Sequence, residues 1–352
     1  MKIRNLIIFV TNKCNSKCVM CFNASLNTDI HELTLQEYKK MAESICCLDE
    51  LIISGGEPSL REDLPQICNV FYEKFRVRKI RIPMNGIDVD RIVQMARDIL
   101  TLCPESELFV TLPLDGIKEL HDNQRGIHDA FGRLLKTYKE LSHLMSTFAH
   151  LRIGFVTTVT TLNYDHIESL IKYTRNLKPQ PHYHDLTVCR AQSNKVGRTL
   201  LIPHQEYKAL IELKDKTQDY WIRKRYNPYL VPLVKAMYKM LNYSYLNAYR
   251  NHQVIKCKAE QIGRVIEADG NVRVCEMTEP IGNLRECDYD LNSIKVPNAL
   301  KLRIKHCFCT HPCFVVPSLK YGSNIVCCLT SIIKNRLYGR VAHESRSMSH
   351  NP

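Results

Sequence analysis

Apolar and polar positions alternate in two distinct rhythms along the first 200 residues of the chain. Short runs rich in β-branched residues predict six strands, at 3–10, 50–54, 79–84, 107–112, 151–159 and 184–189. The stretches between them repeat apolar residues at helical spacing and predict five helices, at 34–47, 63–75, 88–103, 127–148 and 164–177. Thr34 precedes Glu37 at the spacing of a capping box, which marks the start of the first helix.

This alternation of strands and helices predicts an α/β fold with parallel strands. Six units favour a partial (β/α)6 TIM-type barrel over residues 1–200, because a complete eight-unit barrel takes about 250 residues. An open doubly wound sheet has the same local pattern, so periodicity alone leaves both arrangements open.

The remainder of the chain changes character twice. Residues 201–250 are rich in Tyr, Lys and Leu at helical spacing and predict a helical connector. Residues 251–317 predict a small cysteine-rich α+β domain, with a hairpin that turns at Asp269 and Gly270. Residues 318–352 predict a C-terminal helix and a polar tail.

Composition narrows the class of protein. A chain of 352 residues that is 45% apolar can bury a sizeable core. It holds no run of about 18 apolar residues and no signal-peptide pattern, so we expect no membrane span and a cytoplasmic location. The formal net charge of +13 favours acidic partners. The lysines and arginines are spread along the chain, however, so we do not expect a nucleic-acid partner.

Clustered cysteines are the first indication of chemistry. The chain has 16 cysteines, and without secretory features such clusters more often bind metal than form disulfides. Cys14, Cys18 and Cys21 follow the first strand with the spacing C-x3-C-x2-C. Structural zinc normally takes four protein ligands, whereas three ligands leave a position open. An iron–sulfur cluster usually takes one thiolate per iron, so three cysteines leave one iron free.

The second strand is followed by the segment IISGGEP, residues 52–58. Gly55 and Gly56 allow a ligand to approach the backbone closely, and Glu57 offers a carboxylate that suits an amino group. In a barrel, the loops at the carboxyl ends of the strands are where ligands bind. The segment therefore predicts part of a binding site.

Together, the cysteine triplet and the GGEP segment resemble the radical S-adenosylmethionine (radical SAM) enzymes. The resemblance implies a [4Fe–4S] cluster on Cys14, Cys18 and Cys21, with the amino and carboxylate groups of S-adenosylmethionine (SAM) on the fourth iron. It also implies that the methionine amino group is held by Gly55, Gly56 and Glu57. Phe22, the aromatic residue after the triplet, would screen the cluster or pack near the adenine.

Two further segments are similar to the same family over roughly residues 3–200. IPMNGI matches a third-strand segment that usually reads TNG, which makes Asn85 a candidate cofactor residue. LPLDGIKELHDNQRG matches a segment of that family at Asp115, Arg125 and Gly126, which makes Asp115 a candidate cofactor residue. The resemblance gives Arg125 a role in cofactor binding or in bracing the fold, and a helix cap or surface salt bridge is the alternative. Pro113 stands where a serine that often touches the cofactor is common, so that contact is not expected here.

The cysteines near the C-terminus resemble a SPASM or shorter twitch domain, which carries auxiliary iron–sulfur clusters. Their number fits one auxiliary cluster, with these expected ligands: Cys257, Cys275, Cys309 and Cys313. Cys307 is a reserve ligand, and Cys287 is expected to be free. A zinc site is the alternative for this region, because four thiolates also suit zinc.

The resemblance implies an oxidoreductase that cleaves SAM reductively to a 5′-deoxyadenosyl radical and abstracts a hydrogen atom from a substrate. We expect a small-molecule or peptide substrate that is oxidised, cross-linked or epimerised, and an electron donor such as flavodoxin or ferredoxin. No N-terminal extension suited to gripping a leader peptide precedes the triplet, which favours a small or carrier-bound substrate.

Three cations follow the sixth predicted strand at the expected barrel mouth: Arg190, Lys195 and Arg198. They could hold an anionic substrate or the SAM carboxylate, but an ordinary solvated loop is the slightly favoured interpretation. The alternatives for the whole protein are a zinc-binding nucleic-acid or scaffold protein and a radical SAM enzyme that modifies RNA.

Overall fold

Nine strands form one sheet in a computed structural model that describes residues 3–24, 27–189 and 199–321. Their order across the sheet is β6-β5-β4-β3-β2-β1-β7-β8-β9. The strands are β1 (Asn5–Phe9), β2 (Glu50–Ser54), β3 (Lys79–Pro83), β4 (Glu107–Pro113), β5 (Leu151–Val159), β6 (Tyr183–Val188), β7 (Gly263–Ile266), β8 (Asn271–Arg273) and β9 (Gly282–Asn283). The first six match the six strands predicted from the sequence.

The strand order decides between the two arrangements that periodicity left open. β1 to β6 are all parallel, and each pairs with the next one along the chain. A doubly wound sheet reverses direction at a switch point, and no reversal occurs among these six strands. The prediction of a partial TIM-type barrel followed by a further C-terminal region is confirmed.

Eleven α-helices lie within the described residues. They are α1 (Leu35–Glu43), α2 (Leu64–Phe75), α3 (Val89–Leu102), α4 (Glu119–Arg125), α5 (Ala130–Leu144), α6 (Ile167–Asn176), α7 (His204–Arg225), α8 (Val231–Ala248), α9 (Ala259–Ile262), α10 (Asn298–Lys305) and α11 (Pro312–Lys320). The five helices predicted between strands are all present, and α4 was not predicted. None of the helices described is long and apolar enough to cross a membrane.

The main core lies between the outer face of the strands and the helices that connect them. Ile53, Ile82 and Val110 on the strands are fully buried against residues such as Phe71 and Ile99 on the helices. β1 is buried at every position, because it lies inside the sheet with β2 on one side and β7 on the other. The barrel therefore holds the loop after β1 on a rigid support.

The start of α1 confirms the predicted capping box. Thr34 Oγ1 accepts from Glu37 N, and the Glu37 side chain accepts from Thr34 N at 2.7 Å. The helix ends at Glu43, earlier than the predicted end at 47, so Cys46 lies beyond the helix and is exposed. Cys68, Cys103 and Cys189 are buried.

The C-terminal hairpin continues the barrel sheet instead of forming a sheet of its own. β7 pairs in parallel with β1, and β8 returns antiparallel to β7 after a turn at Asp269 and Gly270. The turn matches the prediction, and Gly270 adopts the positive φ of +90° that favours glycine. α11 runs across the predicted boundary at 317/318, and the predicted tail beyond residue 321 lies outside the described residues.

Arg285 ties this C-terminal region to the segment that precedes α1. Its guanidinium donates to Glu37 Oε1 at 2.7 Å, to the carbonyl oxygen of His31 at 3.0 Å and to the carbonyl oxygen of Asp269 at 3.1 Å. Burial alone would raise the pKa of Glu37, but hydrogen bonds from Arg285, Thr34 and others outweigh it and lower the pKa to about 2.

Candidate functional site

The three N-terminal cysteines lie on the loop that follows β1, at the carboxyl end of the barrel strands. Cys14 is exposed, Cys18 and Cys21 are half-buried, and none forms a disulfide. Partial burial of the thiol, together with Glu57, Cys18 and Cys21 close by, raises the pKa of Cys14 to about 11. Neighbouring thiolates repel one another, so these thiols ionise readily only when a cation is bound between them. A metal centre supplies such a cation and takes the thiolates as ligands.

The Gly-Gly pair after β2 packs directly against this loop. Gly56 N donates to the carbonyl oxygen of Thr11 at 2.7 Å, and Glu57 N donates to that of Lys13 at 2.8 Å. Gly55 has a φ of +142°, and a Cβ on either glycine would overlap these same carbonyl oxygens. Glycine is therefore required for the two loops to meet.

Glu57 joins the loops that follow β2 and β3. It is only 2% exposed, and its carboxylate oxygens accept from Ser59 N at 3.1 Å and from Asn85 N at 2.8 Å. Burial raises the pKa of this carboxyl group. These contacts give Glu57 a bracing role inside the protein, and its predicted contact with the amino group of a ligand stays a prediction.

Asn85 continues the connection back to the cysteine loop. Its Nδ2 donates to Asn15 Oδ1 at 2.6 Å and to Ser16 Oγ at 3.2 Å, between Cys14 and Cys18. Its Oδ1 accepts from Ile87 N at 3.0 Å, which fixes the orientation of the amide. Asn85, predicted as a cofactor residue, thus holds the middle of the cysteine loop in place.

Arg125 places a buried positive charge beside the cysteine loop. Its Nη1 lies 3.6 Å from Cys18 Sγ, and its Nη2 forms an ion pair with Asp115, which is fully buried. Asp115 Oδ1 in turn accepts from Thr158 N at 2.7 Å. Burial disfavours the charged guanidinium, but Asp115 and Cys18 outweigh it and raise the pKa of Arg125, so the cation is maintained.

Backbone hydrogen bonds connect the end of α4 to the same cysteine loop. Lys17 N donates to the carbonyl oxygen of Arg125 at 3.2 Å, and Val19 N donates to that of Gln124 at 3.0 Å, on either side of Cys18. Gly126 ends the helix with a φ of +64°, and a Cβ there would overlap the carbonyl oxygen of Lys17. The Arg-Gly pair singled out in the sequence is therefore a docking point for the cysteine loop.

Five C-terminal cysteines line one small pocket, namely Cys257, Cys275, Cys307, Cys309 and Cys313. The four predicted ligands and the reserve ligand therefore lie together. Cys287 is elsewhere, where its thiol donates to the carbonyl oxygen of Leu284 at 3.3 Å. Burial raises the pKa of Cys275 to about 12, again a setting in which a bound cation favours the thiolate.

A cavity of about 1240 Å³ lies between the two groups of cysteines. Phe22 and Asn23, next to Cys21, line one part of it, and Cys257 and Cys275 line another. Asn23 Nδ2 also donates to the carbonyl oxygen of Gly55 at 3.1 Å, a contact that sequence reasoning missed. The three cations predicted at this mouth, Arg190, Lys195 and Arg198, lie outside the described residues.

Residues 8–176 match the model of the radical SAM superfamily. The chain contains a radical SAM domain. This confirms the family predicted from the cysteine triplet and the GGEP segment, and the solved structures similar to it include SPASM/twitch-type radical SAM enzymes, also as predicted.

One curated relative of the radical SAM domain is Fe-coproporphyrin III synthase from Methanosarcina barkeri. It is 32% identical over 130 residues, which make up 36% of this chain and 31% of the relative. The chain thus spans about a third of the length of the first curated relatives that it matches.

Two solved structures are similar across most of the chain. SuiB from Streptococcus suis, bound to SAM, has a TM-score of 0.58 at 14% identity and covers 86% of this chain and 68% of its own. The enzyme anSMEcpe, with bound SAM and a peptide, has a TM-score of 0.57 at 15% identity and covers 94% of this chain and 99% of its own. At such identities the likeness shows the shared fold.

The radical SAM family binds a [4Fe–4S] cluster and SAM, and SPASM-type members carry auxiliary clusters. The donor set of this chain fits such groups, because three thiols without disulfides share one loop and the buried cation of Arg125 faces one of them. Among the residues that the structure describes, no three His, Cys, Asp or Glu side chains are already arranged as a metal site. The fit therefore rests on the kind and number of donors.

Proposed function

We propose that this protein is a radical SAM enzyme that modifies a peptide. Its SAM-binding cluster would be held by Cys14, Cys18 and Cys21. Its auxiliary cluster would be held by Cys257, Cys275, Cys309 and Cys313. The observation that carries the proposal is a single cavity that reaches from the residues beside Cys21 to the C-terminal cysteines.

Two similar structures favour a peptide over a small metabolite as the substrate. SuiB has been solved with its precursor peptide SuiA, at a TM-score of 0.54, and anSMEcpe with a bound peptide, at a TM-score of 0.57. The cavity of about 1240 Å³ exceeds the usual range of about 300–1,000 Å³ for one small molecule, which leaves room for part of a substrate beside SAM.

The cluster and SAM, when bound, would supply a 5′-deoxyadenosyl radical for the removal of a hydrogen atom from the substrate. The residues of this chain orient that chemistry. Arg125 keeps a positive charge at Cys18, and Asn85 and Glu57 fix the loops that surround the thiols. Phe22 packs with Phe9 and others at the edge of the cavity and excludes water there.

Two reaction classes follow from the fate of the substrate radical. If the substrate radical passed one electron to the auxiliary cluster and one proton to solvent, the product would be oxidised by two electrons overall and could be a dehydrogenated or cross-linked peptide. If the radical instead took a hydrogen atom on its opposite face from a thiol, which the reductant would restore with one electron and a proton from solvent, the product would be an epimer. A reductant such as flavodoxin or ferredoxin supplies the electron that cleaves SAM.

Anaerobic reconstitution with iron and sulfide tests the proposal. The wild type should hold about eight iron atoms, and the Cys14, Cys18 and Cys21 triple alanine variant about four, without reductive cleavage of SAM. Cys46→Ala is the matched control, since Cys46 is exposed and lies in neither group. With labelled peptide libraries, deuterium should appear in 5′-deoxyadenosine.

Three results would reject parts of this proposal. A colourless protein with stoichiometric zinc would favour the zinc-binding scaffold. Reductive cleavage of SAM by the triple variant would show that the cluster site is wrong. Deuterium transfer from labelled RNA or from a small metabolite, with none from peptides, would retain the radical enzyme and reject the peptide substrate.

A further inference from the structure

An apolar loop projects from the end of the helical hairpin formed by α7 and α8. We call residues 226–230 the tip loop. Tyr229 is 92% exposed, more than any other large hydrophobic residue described, and the next residue, Leu230, is 51% exposed. Pro228 and Pro232 on either side are exposed as well. Exposed runs of apolar residues are unfavourable in water and usually mark a binding surface.

The tip loop follows three consecutive cations: Arg223, Lys224 and Arg225. All three are exposed. Lys235 and Lys239 follow it on α8, and residues 219–239 contain one carboxylate, Asp219, which pairs with Arg223 at 2.9 Å and also with Lys235. The apolar tip therefore has a surplus of positive charge around it.

The tip loop lies at the opposite end of the barrel from the candidate cofactor site. The guanidinium of Arg225 is 5.2 Å from the ring centroid of Phe109, which is near the amino end of β4. The cysteine loop and the GGEP segment follow the carboxyl ends of β1 and β2. A surface that covered the tip loop would leave the large cavity accessible.

We propose that the tip loop anchors this protein to an anionic membrane surface. Aromatic and aliphatic side chains of the tip would enter the headgroup region, where tyrosine is favoured, and the adjacent cations would meet acidic lipid headgroups. An anionic lipid surface fits because exposed apolar side chains and a surplus of cations lie side by side here, and such a surface offers an apolar layer directly beneath acidic headgroups. The proposal does not depend on the reaction at the cofactor site.

Vesicle binding by the full chain tests the proposal. The wild type should sediment with vesicles that contain phosphatidylglycerol, should bind pure phosphatidylcholine at least tenfold more weakly, and should be released by high salt. The double variant Tyr229→Ser with Leu230→Ser should lose at least tenfold in affinity. The variant Arg223→Gln with Lys224→Gln should lose affinity and show a weaker dependence on salt.

Tyr243→Ser is the matched control. Tyr243 lies on the same hairpin and is 60% exposed. It lies 13 positions beyond Leu230, about 20 Å along the helix, and interfacial side chains do not reach that far into a membrane surface. Its affinity for vesicles should equal that of the wild type, and all variants should retain the circular dichroism of the wild type.

The proposal is overturned if the wild type binds neither kind of vesicle, or if the Tyr229 and Leu230 variant binds as well as the wild type. A third result also overturns it. If vesicles have no effect and an acidic protein such as flavodoxin instead protects residues 226–230 from hydrogen exchange, the tip loop docks a protein.

Discussion

Arg125 and Cys18 meet through a hydrogen bond of 3.6 Å between Nη1 and Sγ, although they belong to separate loops of the barrel. The second nitrogen of the guanidinium pairs with buried Asp115. A buried cation at a thiolate ligand stabilises the more negative, reduced form of an iron–sulfur cluster, and such contacts tune reduction potentials. The pair therefore connects the fold directly to the electron transfer that starts the proposed reaction.

Replacing Arg125 should affect both stability and reduction potential. Arg125→Gln leaves Asp115 buried without its partner, a change that typically costs about 3–5 kcal/mol. It should also make the potential of the reconstituted cluster more negative, by roughly 60 mV for an effect of ~1.4 kcal/mol on a one-electron couple. Thermal unfolding and a redox titration followed by electron paramagnetic resonance measure the two effects.

A double variant separates these roles. Arg125→Gln with Asp115→Asn removes the unpaired charge, so much of the lost stability should return. The reduction potential of the cluster should remain more negative than in the wild type. If the double variant recovered the wild-type potential, Arg125 would act only by bracing the loop.

Glu57→Gln should destabilise the loops around the cysteines. The amide has one accepting oxygen, so it cannot accept from both Ser59 N and Asn85 N, which Glu57 does at 3.1 and 2.8 Å. An unsatisfied buried amide costs about 1–3 kcal/mol. We expect a lower melting temperature and less iron retained after gel filtration. Glu62→Gln, at an exposed neighbouring position, is the control and should change neither quantity.

Alanine variants of the C-terminal cysteines should fall into two groups that differ in iron content. Because Cys257 and Cys275 line the common pocket, alanine at either should remove the auxiliary cluster, about four iron atoms, and leave the other cluster in place. Cys287→Ala should keep the full iron content, since Cys287 lies away from that pocket. Loss of iron from Cys287→Ala, with wild-type content in Cys257→Ala, would contradict the ligand set.

The ion pair of Glu37 and Arg285 predicts a dependence of stability on acid. The pKa of Glu37 is about 2 in the folded chain, against an ordinary value of 4.5. The stabilisation is complete above about pH 4.5 and is lost as the pH falls toward 2, because the unfolded chain binds the proton first. Its size is about 1–3 kcal/mol.

Arg285→Gln should therefore remove part of that stabilisation at pH 7 and make the fall between pH 4.5 and 2 less steep, because hydrogen bonds from Thr34 and Tyr289 to Glu37 remain. Urea unfolding at several pH values measures both effects. Arg303→Gln, which removes a cation from the C-terminal region away from Glu37, is the control. Equal pH profiles for the wild type and Arg285→Gln would refute the contribution of the pair.

The sequence was most informative where one residue type serves one purpose. The runs at 50–54 and 151–159 coincide with β2 and β5, and Thr34 with Glu37 located the start of α1, because these signals are local. The triplet and the glycines after β2 were found for the same reason. Each of these positions requires one residue type, cysteine or glycine, and that requirement can be recognised without knowing which distant segments contact it.

What remained hidden depends on contacts between distant segments. The match of Arg125 to a family motif did not show that its guanidinium reaches Cys18, and nothing local marks Arg285 as the partner of Glu37. The parallel pairing of β7 with β1 was equally invisible, since a hairpin pattern does not reveal which strand lies beside it. α4 was missed because seven residues give too short a periodic signal.

The position of β1 between β2 and β7 has a consequence for how the protein is made. A ribosome releases β1 long before it produces β7, so one edge of β1 stays open during most of synthesis. Pairing between such distant segments is slow to form. The loop that carries Cys14, Cys18 and Cys21 follows directly from this strand, so the support beneath that loop is complete only after β7, a much later segment, has been synthesised.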